Sequence, residues 1–283
     1  MVVVMGRIGR IARALGVYRA LKACLPKGFR SPAVAEWLGV GVPVPPLHVE
    51  HCSYSGRDLK ALHVAWRYGE YFRDSVLDVG CDRCQLRDAL NLPFSSDRLD
   101  GMGIHGAVVR PNIQYTGIDR TDEADHSIDL NDCYFMLTFE EDSYDTVVCL
   151  DVLEHLSDPD GVMWQLARIA RRFIIVSLPN CWFGAYDHLA RGCGTPRHYG
   201  LHPDGPADGH RWWFNFDDAD HWLQWQAKRN GLTIRERVAE WRLPDWPWWK
   251  RPWHLARFLF GRRNAYRRQR YFQTVWYVFE KKG

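Results

Sequence analysis

The 283-residue sequence predicts an α/β fold built on a doubly wound sheet of mostly parallel strands. Three stretches carry that expectation. In Ser75 to Leu86, SVLDVGCDRCQL, an apolar run over Val76 to Val79 breaks at Gly80, and a helical pattern resumes at Leu86, Ala89 and Leu90. That is a buried strand, a tight turn and a helix. In NIQYTGIDRT, the alternation of Ile113, Tyr115, Gly117 and Ile118 reads as a second strand ending at Asp119. From Tyr144 a third apolar strand runs to Leu150, a helix starts near Asp158, Pro159 and Asp160 with Val162, Leu166 and Ile169 on its apolar face, and a strand over Phe173 to Leu178 stops at Pro179-Asn180.

The remaining elements follow in order. Residues 1–50 read as a basic helical extension: an amphipathic helix over 5–24, a break at Pro26-Lys27-Gly28, and a proline-rich linker, GVPVPPL, that cannot continue a helix. Residues 51–283 form the catalytic-type domain. A helical pattern from Asp58 to Tyr71 precedes the first strand, and Asn91 to Arg110, rich in Gly, Ser and Asp, reads as an insertion. Residues 181–216 lack periodicity and carry several histidines, the composition of a lid or acceptor loop. Asp217 or Asp218 is expected to cap a helix that ends at Gly231, Leu232 to Val238 to form a strand, and TVWYVFEKK to form the last one.

Charge is unevenly spread. Residues 1–35 carry seven Lys or Arg and no acid, and residues 242–283 carry eleven against Asp245 and Glu280. The middle holds 19 basic and 32 acidic residues, a net −13. Two basic ends around an acidic core suggest contact with an anionic surface or substrate. Residues 241–270 interleave Trp241, Trp246, Trp248, Trp249 and Trp253 with arginines, which suits a cap or dimer contact, a membrane surface or lipid-linked acceptor, or, less well, nucleic acid. Residues 1–25 add a second candidate membrane-surface element. Eight scattered cysteines, several in core strands, point to a reducing, cytoplasmic setting, and no apolar run approaches the ~20 residues a membrane span needs.

A strand–turn–helix presents backbone N–H groups at the carboxyl end of a parallel strand, where open α/β sheets place their ligands. Asp78, a carboxylate within an apolar strand, needs a partner there. The stretch around it resembles motif I of class I S-adenosylmethionine-dependent methyltransferases, an acidic strand followed by G-x-G-x-G, with Asp82 and Cys84 in place of the second and third glycines. From Val76 onward the later motifs follow in order. The resemblance implies a Rossmann-like sheet of seven strands with the last antiparallel, and S-adenosylmethionine as cofactor. It implies a cofactor site formed by Asp78, Gly80, Cys81 and Asp82 in the turn, Asp119 on the ribose, Asp129 and Leu130 against the adenine, and Leu150 at the end of the fourth strand.

Methyl transfer from a sulfonium mainly requires the acceptor to be held in line, and an oxygen acceptor gains from a base or a metal. Asp151, Glu154 and His155 form D-x-x-E-H at the active-site edge, similar to the carboxylate-x-x-Glu-His that ubiquinone-biosynthesis O-methyltransferases associate with a divalent ion. His155, or His210 from the lid, is therefore the candidate base, with Asp151 and Glu154 orienting it or holding Mg²⁺. The expected activity is O-methylation of a small or lipid- or glycan-linked acceptor. Two alternatives stay open: a non-catalytic protein, similar to methionine-biosynthesis-associated methyltransferase-like proteins and acting through protein contact, and an RNA methyltransferase. Base N-methylation is disfavoured by C-L-D-V where an (N/D)-P-P-Y motif would stand.

Overall fold

The computed structural model describes residues 44–52, 54–91, 113–132, 138–183, 209–242 and 264–282, together with 185, 192 and 252. The helix expected over 5–24, the insertion over 91–110 beyond Asn91, most of the lid and most of the 241–270 segment lie outside the described residues. The chain divides into compact units at 1–44 and 45–283. Among the described residues of the second unit there are fifteen elements, and the site depends on thirteen of them, numbered here in chain order. These are β1 (His48–His51), α1 (Arg57–Arg67), β2 (Ser75–Val79), α2 (Gln85–Asn91), β3 (Gln114–Asp119), β4 (His126–Ser127), β5 (Tyr144–Leu150), α3 (Pro159–Ile169), β6 (Ala170–Pro179), α4 (Phe216–Arg229), β7 (Leu232–Trp241), α5 (Asn264–Tyr271) and β8 (Phe272–Lys281).

Among the described residues the strands form one eight-stranded sheet in the order β1-β7-β8-β6-β5-β2-β3-β4. From β2 the chain steps outward through β3 and β4, then returns to place β5 on the other flank of β2. The reversal between β2 and β5 makes a crevice at their carboxyl ends, the usual ligand position in such sheets. β8 runs antiparallel between β6 and β7, as expected for the last strand. The eighth strand is β1, which follows the proline-rich linker, straddles the boundary expected at residue 50 and pairs in parallel with β7.

The two faces of the sheet follow from a period of two. Leu77, Val79, Val147, Cys149, Ile174 and Val176 pack on one side with α3 and α4. Val76, Val148, Phe173 and Ile175 pack on the other with α1 and α2. Asp78 shares the second face, among apolar neighbours, and is 5% exposed. α4 is capped by Asn215, whose side chain accepts from the Asp218 amide, rather than by Asp217 or Asp218. Asp217 instead pairs with Arg268 of α5.

A second buried acid fastens α4 to the antiparallel strands. Asp220 accepts from the Arg237 Nε at 2.6 Å and from the Tyr277 hydroxyl at 2.7 Å. Asp220→Asn keeps the shape but leaves the half-buried Arg237 guanidinium without its counter-charge. A loss of about 2 kcal/mol is expected in urea unfolding, and an unchanged midpoint would contradict the assigned role.

Candidate functional site

The β2–α2 turn is left-handed at three positions: Gly80 at φ 78°, Asp82 at φ 50° and Cys84 at φ 56°. Motif I glycines supply such angles freely, and here Asp and Cys adopt them. The Gly80 and Cys81 amides donate to the Ile118 carbonyl at 2.8 and 3.2 Å, which holds the turn over β3. A Cβ on Gly80 would lie 2.2 Å from a methyl of Val152. Gly80→Ala is therefore expected to cost about 2 kcal/mol or more, from left-handed strain and from this collision. Adding Val152→Ala should return part of that loss in thermal melting, because it removes the collision and leaves the strain; no return would show that Val152 is not the obstacle.

The bulk that replaces the motif I glycines does not all enter the crevice. Cys81 and Cys84 turn their thiols beneath the turn, against Gly117 of β3, where a Cβ would meet the two sulfurs at 2.8 and 2.7 Å. The lost glycine at position 84 is thus matched by a glycine across the sheet. Asp82 stays at the crevice edge, ion-paired with Arg57 and accepting from Gln85 at 3.1 Å. Arg57, its hydrogen bonds and nearby cations hold the Asp82 carboxyl below the usual range against the opposing effect of partial burial.

Asp119 closes the far side of the turn. Its carboxylate accepts from the Asp82 amide at 2.9 Å and from its own neighbour, the Arg120 amide, at 2.6 Å. A carboxylate offers about four acceptor positions, so two remain for a diol. Asp78 accepts from the Tyr115 hydroxyl at 2.6 Å. Burial raises its carboxyl to about 6, the Tyr115 bond opposes the rise, and Asp119 adds to it.

At the end of β5 the backbone turns left-handed again at Asp151, φ 53°, whose amide donates to the Ser177 carbonyl at 3.1 Å. Lys60 of α1 pairs with one Asp151 carboxylate oxygen and Ser177 donates to the other at 2.6 Å. Burial alone would raise this carboxyl, but the Lys60 charge and these hydrogen bonds hold it below the usual carboxylate range. A single helical turn, Leu153–His155, then carries Glu154 inward and His155 to the crevice. The Glu154 carbonyl accepts from the Arg211 and Trp212 amides at 2.8 and 3.1 Å, and the Leu156 carbonyl accepts from the Trp212 indole at 2.8 Å. These bonds dock the end of the 181–216 segment on the turn after β5. His210 is thereby placed beside His155, with ring centroids 4.5 Å apart and planes at 82°.

These features face one cavity of about 1250 Å³. All twelve residues expected in the site line it: Asp78, Gly80, Cys81, Asp82, Asp119, Asp129, Leu130 and Leu150 on the side of the turn, and Asp151, Glu154, His155 and His210 beyond them. Arg57, Lys60, Asn131, Val152 and Arg211 line it too, and sequence reasoning did not single them out. Arg57 and Lys60 lie three apart in the first turn of α1, a spacing that in sequence looks like any solvated helix face.

A family of methyltransferase domains matches residues 21–237, most of the chain. The chain belongs to the methyltransferase domain family. Among solved structures, the methyltransferase resembles an S-adenosylmethionine-dependent methyltransferase from Archaeoglobus fulgidus, at 14% identity over 80% of this chain and 95% of that one, with a TM-score of 0.45. It also resembles magnesium protoporphyrin IX methyltransferase from Synechocystis PCC 6803, at 16% identity over 80% and 81%, with a TM-score of 0.41. A third is a cyclopropane-fatty-acyl-phospholipid synthase-like protein from Lactobacillus casei, at 13% identity over 79% and 90%, with a TM-score of 0.47. No curated protein matches the sequence.

Methyltransferases of this class take their methyl group from S-adenosylmethionine, and the donor set fits that molecule. Asp119 has acceptor positions for a ribose diol, and Asp129 with Leu130 offers a polar and an apolar contact for adenine. Asp78 and Arg57 bring opposite charges to the end where an amino acid would lie. Magnesium fits less well. It demands near-octahedral oxygen ligands, whereas Asp151 is engaged by Lys60, and the group that could share an ion, Glu154 with His155 and His210, offers two imidazoles. Among the described residues no helix is long and apolar enough to cross a membrane.

Proposed function

We propose that the methyltransferase transfers the S-adenosylmethionine methyl group to an oxygen of a small or lipid- or glycan-linked acceptor, with the His155 and His210 pair as its base. The observation that carries this reading is the imidazole pair in the same cavity as the turn and Asp119. Pockets for a single small molecule span roughly 300–1000 Å³, so a cavity of about 1250 Å³ has room for two. The bound cofactor supplies an electrophilic methyl whose leaving group departs neutral. The chain has to hold the nucleophile in line, exclude water and accept one proton.

His155 Nδ1 lies 3.4 Å from the Gly209 carbonyl, a contact that favours the proton on Nδ1 and leaves Nε2 as the basic nitrogen. Glu154, buried with a carboxylate oxygen 3.8 Å from that Nε2, steadies the charge His155 acquires as it takes the proton. His210 stands edge-on to the same ring, within reach to share the proton that His155 takes. Support for a lipid-linked acceptor comes from Trp182 and Trp213, 49% and 43% exposed with ring centroids 6.2 Å apart, on the segments that bracket His210 in sequence. An exposed aromatic pair on these segments suits an amphipathic substrate. Membrane-surface contact through 1–25 and 241–270 belongs to the same proposal.

Incubation with methyl-labelled S-adenosylmethionine and a panel of phenols, carboxylates, polyprenyl-linked sugars and RNA tests the reading. Label recovered as a methyl ether or ester supports it, and label recovered only in RNA, or none in any acceptor while product analogue binds, overturns it.

Asp78 sets a pH dependence. Its folded carboxyl titrates near 6, above the unfolded value, so the folded chain holds that proton more tightly. Its contribution to stability therefore falls as pH rises from about 4 to about 6 and is flat above. Binding runs the opposite way, because the cofactor's ammonium favours ionised Asp78. Affinity for S-adenosylhomocysteine should weaken by up to about tenfold per pH unit below 6, and Asp78→Asn should bind more weakly with that slope removed. Calorimetry at pH 5 and 7 checks both.

A further inference from the structure

The Cys81 and Cys84 thiols have no task in methyl transfer, yet their geometry is specific. Their sulfurs are 3.4 Å apart and both residues are buried, at 5% and 3% exposure. The Cys84 amide donates to the Cys81 carbonyl at 2.9 Å, so the two residues are the ends of a hydrogen-bonded turn. Such ends lie within about 7 Å at Cα, the outer limit of what a disulfide spans. Closing the sulfurs from 3.4 Å to the bond length of about 2.05 Å needs side-chain rotation and a small adjustment of the turn. Gly117 leaves the space beneath both sulfurs free of a Cβ. The Arg87 guanidinium donates to Cys84 Sγ at 3.2 Å, and Cys81 lines the cavity.

We propose that Cys81 and Cys84 are a redox-modification site, oxidised by a small hydroperoxide to a disulfide that lowers affinity for the cofactor; the coupling rests on the cofactor reading above. Cys84 sulfur, with its cationic neighbour in place, attacks the peroxide O–O bond and becomes a sulfenic acid as one oxygen leaves as water. The Cys81 sulfur then attacks the Cys84 sulfur, the S–O bond breaks, and the second oxygen leaves as water with the Cys81 proton. One hydrogen peroxide is reduced to two waters and two thiols are oxidised to one disulfide.

The cofactor turn lies between the two sulfurs in sequence. The Asp82 amide that donates to Asp119, and the Asp82 carbonyl that accepts from Thr121 at 2.8 Å, sit on the residue after Cys81. Oxidation also removes the Cys84 thiol proton shared with the Glu123 carbonyl at 3.6 Å. Drawing the ends of the turn together displaces the backbone that organises Asp119.

The test uses the full chain, treated with a few equivalents of hydrogen peroxide, alkylated, digested and weighed, with calorimetry of S-adenosylhomocysteine on the same samples. The expected result is a peptide linked Cys81 to Cys84 and lighter by two hydrogens, reversed by dithiothreitol, with affinity at least tenfold weaker while linked. Both cysteines alkylated after peroxide, or a linked peptide with unchanged affinity, would overturn the proposal. Should the reduced chain bind no product at all, the cofactor reading falls and the coupling with it, whereas the mapped linkage is read by mass alone.

Discussion

Asp119→Ala is expected to weaken S-adenosylhomocysteine binding by about 100-fold or more. A carboxylate that accepts from two ribose hydroxyls makes charge-assisted bonds worth roughly 1.5–3 kcal/mol each, so their joint loss is on the order of 3 kcal/mol or above. The same substitution releases the Asp82 amide, which now donates to Asp119 at 2.9 Å, and loosens a turn already held at left-handed angles. The two effects separate by comparison with Asp119→Asn, which keeps one acceptor oxygen for the turn and loses the charge. Asparagine should retain a melting temperature near the parent value and still lose most of the affinity. Parent-like binding in both variants would remove Asp119 from the site.

Replacing His155 and His210 together should lower turnover by about 10²–10⁴-fold, the range a positioned general base contributes, while product binding stays within about twofold of the parent. The expectation follows from position. Both imidazoles line the cavity with the turn, while the bonds to the Asp119 and Asp78 carboxylates come from Asp82, Arg120 and Tyr115. His155→Ala alone should carry most of the loss, because His155 has the Glu154 carboxylate 3.8 Å from Nε2, and His210→Ala a smaller part. An unaltered rate in both single variants would remove the pair from the chemistry.

The sequence was most informative where one physical requirement dominates. A central parallel strand must be apolar on both faces, which made β2, β5 and β6 legible, and the left-handed turn could be read from Gly80 even with Asp82 and Cys84 following it. The direction of the two thiols was not legible, since it depends on Gly117, a residue 33 positions beyond Cys84 that reads alone as a weak strand residue. β1 was hidden because HVEH has no apolar alternation and follows prolines; its strand character comes from pairing with β7 at the sheet edge. The helix cap was misassigned among three neighbouring residues of similar capping strength, and only the ion pair of Asp217 with Arg268 separates them. Lys60 was missed because the role of a lysine on a helix depends on what the sheet brings opposite, here Asp151 and Ser177.

The pairing of His155 with His210 lies between these cases. Each residue could be singled out by type, one next to Glu154 after a strand and one in a histidine-bearing segment. Their adjacency depends on the Arg211 and Trp212 amides finding the Glu154 carbonyl, a backbone contact that side-chain pattern does not encode.

Everything assigned to the site requires a sulfonium nucleoside to rest on the Gly80–Cys84 turn against Asp119. Titration of S-adenosylhomocysteine into the full chain at pH 7.5, followed by calorimetry, tests this most directly. One site with a dissociation constant in the micromolar range, about −8 kcal/mol, is predicted, and the absence of binding heat together with an unshifted melting temperature at millimolar ligand would contradict it.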